Sequence, residues 1–114
     1  MPSEEITAIW FLTAKAGRED EVYKLFKQLG ESTRAEDKGC LNYIYLRKSD
    51  DHREFALFER WKDLASLQAH ITRMQAVYGP PPPGISPGSL AALPTALIEP
   101  FEKGQPFAPF EVIE

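Results

Sequence analysis

Cysteine occurs once in this 114-residue chain, as Cys40, and histidine twice, as His52 and His70. A lone thiol excludes an internal disulfide and fits a reducing compartment. Two histidines and one cysteine, none at a zinc-type spacing, leave little from which to build a metal site, and no metal is expected. Basic residues are the minority, 13 against 17 acidic, giving a net charge of −4 and a pI near 5.2. Phosphate-backbone binding relies on clustered Lys and Arg, so nucleic acid is not an expected partner. No apolar run approaches the ~18 residues that suggest a membrane span. The acidic start Met1-Pro-Ser-Glu-Glu5 lacks the basic and apolar regions of a signal peptide, so a cytoplasmic protein without membrane contact is expected. A hydrophobic content of 43% with 26% charged residues is globular, and the length suits a single domain over residues 1–114.

The most informative stretch that is present runs from Phe55 to His70, a strand feeding directly into a helix. Residues two apart on a strand share a face, so Glu59 and Trp61 lean the same way, with His70 following about two turns into the helix. Upstream, Ile6 to Thr13 is β-branched and aromatic and reads as a first strand. After Gly17, an acidic first turn (Glu19, Asp20, Glu21) and Val22, Leu25, Phe26 and Leu29 at helical spacing predict an amphipathic helix running towards Lys38 and ended by Gly39. Leu41 to Leu46 reads as a second strand, and Glu54 to Trp61 as a third after a polar turn. Asp63 is the expected N-cap of the next helix, whose apolar stripe is Leu64, Leu67, Ile71, Met74 and Tyr78. Residues 79–88 hold four successive prolines and predict a stiff surface loop. A short helix interrupted at Pro94 is expected between Ser89 and Glu102, and a last strand over 107–114, starting at or after Pro109.

This order, β-α-β-β-α-β, is the α+β ferredoxin-like plan, an antiparallel sheet with both helices on one face. Such a sheet should turn a polar face to water, yet Ile9 and Phe11 and both faces of strands two and three are apolar. An apolar face of that size predicts face-to-face homodimerisation, with coverage by the C-terminal segment as the alternative.

Several motifs resemble the antibiotic biosynthesis monooxygenase superfamily. They are Lys15-Ala-Gly17, Thr33-Arg34 then Gly39-Cys-Leu-Asn-Tyr43, Phe58-Glu-Arg-Trp61 with Lys62-Asp63, and Leu67-Gln-Ala-His70. The resemblance spans Ile6 to about Tyr78 and implies a dimeric α+β barrel, many relatives of which oxygenate quinols or polycyclic phenols without metal or flavin. By position it carries the family's strand-three tryptophan to Trp61, its frequent glutamate to Glu59 and its helix histidine to His70. Where relatives often have a second histidine this chain has Gln75. The haem-degrading branch has an asparagine where Trp10 stands, and that departure argues against haem degradation.

Cofactor-free oxygenation needs an electron-rich aromatic that becomes an anion able to pass an electron to dioxygen. The resemblance therefore implies a small aromatic substrate, dioxygen and no cofactor. Within that chemistry His70 is the expected base, an imidazole having an intrinsic pKa near ~6.5. Glu59 would orient it, and Trp61 completes the catalytic group. Trp10, Tyr43, Tyr45 and Phe55 are expected walls, with Asn42 or Arg34 holding a substrate oxygen. A structural pairing of Glu59 with Arg34 or Arg60 is the competing role for that acid. His52 is expected in solvent, and Cys40 as a small unreactive residue. Two alternatives share the scaffold: a cofactor-free isomerase, and a non-catalytic ligand-binding or stress-related dimer.

Overall fold

The chain forms β1 (Ile6–Thr13), α1 (Glu19–Glu36), β2 (Cys40–Arg47), β3 (Glu54–Trp61), α2 (Leu64–Tyr78), α3 (Thr95–Ile98) and β4 (Pro109–Phe110). These elements come from a computed structural model that describes residues 4–102, 109–111 and 113. The sheet order is β2-β3-β1-β4 with every pairing antiparallel, the ferredoxin-like arrangement that the element order predicts. β3 is the central ruler: Phe55, Leu57, Glu59 and Trp61 are buried while the residues between them are half-buried. Its buried positions serve two adjoining apolar clusters, one built with Val22, Phe26 and Leu29 of α1, the other with Leu67 and Ile71 of α2. Both helices therefore lie on one face of the sheet.

Local chemistry fixes the ends of these elements. Glu19, Asp20 and Glu21 occupy the first turn of α1, where negative charge favours the helix dipole. The helix stops at Glu36, short of the expected Lys38, because Asp37 turns extended and gives its side chain to α2. Gly39 then has φ +86°, and a Cβ there would lie 2.2 Å from Ser66 Oγ, so backbone and helix meet at a point only glycine allows. Asp63 caps α2 as expected, accepting from the Ser66 amide at 2.8 Å. Leu64, placed on the apolar stripe by its spacing, is 45% exposed and does not join the buried face formed by Leu67, Ile71 and Met74.

α3 begins only after Pro94, so the proline precedes the short helix instead of interrupting it, and residues 89–94 form turns and irregular chain. Phe101 bridges to Ala14 and packs into the α1 cluster, while Arg53 and Glu102 pair at the surface. Of the last strand expected over 107–114, Pro109 and Phe110 pair with Ala8 and Thr7 at the sheet edge, while 107, 108, 112 and 114 lie outside the described residues. The other face of the sheet carries Ile9, Phe58 and Ile44 in one cross-strand row and Phe11, Ala56 and Leu46 in the next. Phe11 is 50% exposed, Leu46 54% and Ile44 42%.

Candidate active site

Glu59, Trp61 and His70 meet where α2 crosses β3. Alternation along the strand turns the acid and the indole beneath the helix, and His70 faces them from its buried side. Trp61 Nε1 donates to Glu59 Oε1 over 2.7 Å, and the Trp61 and His70 rings lie 4.7 Å apart between centroids, tilted by 36°. Tyr43 stands 5.3 Å from the imidazole, its hydroxyl 2.8 Å from that of Tyr45.

His70 is oriented by Asp37 rather than by the expected Glu59. Nδ1 lies 2.6 Å from Asp37 Oδ2, and the same carboxylate accepts from Arg73 Nε at 2.6 Å. The paired side chains are 4% (His70) and 7% (Asp37) exposed. Burial alone would raise the Asp37 carboxyl, but hydrogen bonds from His70 and Arg73 outweigh it and hold the group below its usual range. An ionised Asp37 can only accept, so the His70 nitrogen that faces it, Nδ1, carries the proton, and Nε2 is the nitrogen left outside that contact.

The two carboxyl groups thus have opposite characters. Burial pushes Glu59 above the usual carboxylate range, more than the Trp61 N–H and the neighbouring His70 pull it back. Burial likewise raises Tyr43 and Tyr45, which stay neutral phenols. Cys40, half-buried, is pushed up to about 11, so its thiol is protonated and a poor nucleophile at neutral pH.

Glu59, His70, Tyr43 and Tyr45 form the polar end of a narrow cavity of about 50 Å³. The rest of its wall is apolar, with Trp10 and Phe26 at the sides and Leu90 and Leu93 above. Trp61 is fully buried behind Glu59 and His70 and supports them without lining the space. Three expected substrate-binding residues stand elsewhere. Asn42 points to the opposite sheet face and accepts from Arg60 Nη1 at 2.8 Å, because it alternates with Tyr43 on β2. Arg34 donates to the Tyr43 carbonyl at 2.7 Å and, with Phe55, borders a separate open groove of about 360 Å³ between α1 and β2. Arg60 also binds Glu5, so neither arginine pairs with Glu59. Asp37 was not singled out from the sequence: 33 positions separate it from His70, and a lone acid at a helix end gives no signal of its use.

Among the described residues no group of three His, Cys, Asp or Glu could hold a metal ion, and no helix is long and apolar enough to cross a membrane.

Solved structures of similar architecture include protein SO0527 from Shewanella oneidensis. It is 15% identical with a TM-score of 0.69, and the match covers 96% of this chain and 91% of that one. A variant of SnoaB, a cofactor-independent oxygenase from Streptomyces nogalater, is 18% identical with a TM-score of 0.66, covering 97% and 95%. PA3566 from Pseudomonas aeruginosa is 18% identical with a TM-score of 0.67, covering 98% and 97%. At these identities the likeness establishes the fold. Among curated proteins, none matches the chain in sequence. The model of the antibiotic biosynthesis monooxygenase family matches residues 5–74, more than half of the chain, and the protein belongs to that family.

Proposed function

We propose that the protein is a cytoplasmic, homodimeric, cofactor-independent monooxygenase that oxidises a quinol or polycyclic phenol with dioxygen. The observation that carries this reading is the His70–Asp37 contact, which leaves an imidazole lone pair available beside a cavity of apolar walls. Nε2 of His70 removes a proton from the substrate, and the resulting anion passes one electron to dioxygen. The carbon radical and superoxide combine to a peroxide, which takes back the proton held by His70; the hydrogen on the same carbon then leaves as a proton while the O–O bond breaks, so one oxygen stays as a carbonyl and the other departs as water. The substrate supplies all the electrons, so the balance closes without a further reductant. Burial favours the neutral form of Glu59, and with Oε1 engaged by Trp61 its Oε2 is the atom that donates to the substrate oxygen. Among the described residues no Lys or Arg lines the cavity, which favours an uncharged ligand with its polar edge towards Glu59, His70 and the two tyrosines. The homodimer is supported by the exposed apolar rows on the open sheet face.

Oxygen uptake tests the reading. With a panel of naphthoquinols and anthrones, wild-type protein should consume dioxygen faster than His70→Ala and Glu59→Leu, and equal rates would end it. The narrowness of the cavity, against roughly 300–1,000 Å³ for a ligand pocket, favours a second reading, a dimer that binds a small ligand without turnover. Ligand binding without oxygen uptake would select that second reading.

A further inference from the structure

The cavity is closed from above by the chain between α2 and α3, a segment the catalytic reading leaves unused. Leu90 and Leu93 of this segment line the cavity, and Ala92 is fully buried against the α2 cluster. At its neck the Thr95 amide donates to the Pro80 carbonyl at 3.0 Å, so residues 80–95 form a closed loop on a narrow base. Gly79, at φ +108°, forms the hinge side of that base. The loop is otherwise held by hydrogen bonds within itself, such as Ile85 to Pro82, Ser89 to Ser86 and Ala92 to Ser89. One side chain crosses from the body of the protein: Gln75 Nε2, on α2, donates to the Pro87 carbonyl at 3.0 Å and to the Ala92 carbonyl at 2.8 Å.

We infer that Gln75 is the positioning residue that latches this roof over the cavity and thereby governs the entry and size of the aromatic ligand. Both amide hydrogens of Gln75 are spent on carbonyls on either side of Leu90, so the carboxamide fixes the height at which Leu90 sits. A two-ring phenol does not fit about 50 Å³, so the roof must lift for one to enter. The apolar underside re-seals the space once the ligand is in, excluding water from the anion. The inference rests on the proposed aromatic ligand but not on its oxidation.

Two hydrogen bonds of ordinary strength bias an open–closed equilibrium by roughly tenfold or more. In Gln75→Ala, association of 2-naphthol, followed by the change in tryptophan emission expected from Trp10 in the cavity wall, should quicken roughly tenfold. Amide hydrogen exchange over residues 85–93 should accelerate by a similar factor with α2 unchanged. Should Gln75→Ala fold poorly, Gln75→Glu serves the same purpose, since a carboxylate has no N–H to donate. Leu93→Ala, with the latch intact, should improve binding of a three-ring phenol without altering that exchange. Unchanged association in the Gln75 variants, with or without faster exchange, would overturn the inference, as would failure of wild type and variants alike to bind naphthol at millimolar concentration. Faster naphthol entry together with no oxygen uptake would retain the latch and end the monooxygenase reading.

Discussion

His70 is surrounded by groups that were each visible in the sequence, but their pairing depends on which lone pairs and protons face one another. Its Nδ1 side is fixed by Asp37, so Asp37→Asn, which can present an N–H to the ring, should lower oxygen uptake by up to roughly 10². The same change removes charge-assisted bonds to His70 and Arg73 and should cost about 1.5–3 kcal/mol in urea unfolding. The two carboxyls give opposite pH signs. Asp37 is held below its unfolded pKa, so its stabilisation is complete at neutral pH and fades as pH falls below the ordinary carboxylate value near ~3.9. Glu59 is held above its unfolded pKa, so the fold is relieved of its burden in acid and carries a growing penalty as pH rises past ~4.3. Thermal melts of Glu59→Gln should therefore approach wild type at pH 4 and exceed it by a few degrees at pH 8; a constant gap would show that Glu59 is not held neutral. Glu59 and Trp61 were legible together because a period of two forces them onto one face, whereas Asp37 reached His70 only through the tertiary fold.

At the scale of elements, the chain names its own boundaries wherever a residue has a local reason to stand there. Asp63 meets the Ser66 amide three residues on, a contact sequence spacing alone predicts, and Asp63→Ala should cost about 0.5–2 kcal/mol of stability. Gly39 looked like an ordinary helix terminator, and its second role needed the structure: α2 is so close that Gly39→Ala meets Ser66 as well as an unfavourable φ. Backbone strain of this kind costs about 1–3 kcal/mol, and urea unfolding should read at least that loss. The loop at 80–95 is the converse case. Its prolines announced a stiff surface segment, but its contacts with Gln75 run to backbone carbonyls, which carry no side-chain signature.

For the whole molecule, the open sheet face is the feature with the largest consequence. Ile9, Phe58 and Ile44 form an apolar row across three strands, with Phe11, Ala56 and Leu46 beside it. The described C-terminal residues pair at the β1 edge, so the alternative cover for this face takes no support from them. Ile44→Glu, at a position 42% exposed in the single chain, should convert a dimer to monomer in sedimentation velocity while leaving the fold intact by circular dichroism. A dimer unaffected by that charge would move the interface elsewhere. The sequence by itself determined the element order, the strand faces and the antiparallel ferredoxin-like sheet, because these follow from periods of two and 3.6 and from residues acting on near neighbours. It also placed Glu59, Trp10, Tyr43, Tyr45 and His70 around one space. Only the tertiary structure decided that Asp37 holds His70, that Trp61 stands behind the wall, that Asn42, Arg34 and Phe55 do not line the cavity, and that Gln75 grips the roof. Those outcomes depend on helices crossing strands at particular depths, a long-range geometry that no local spacing encodes.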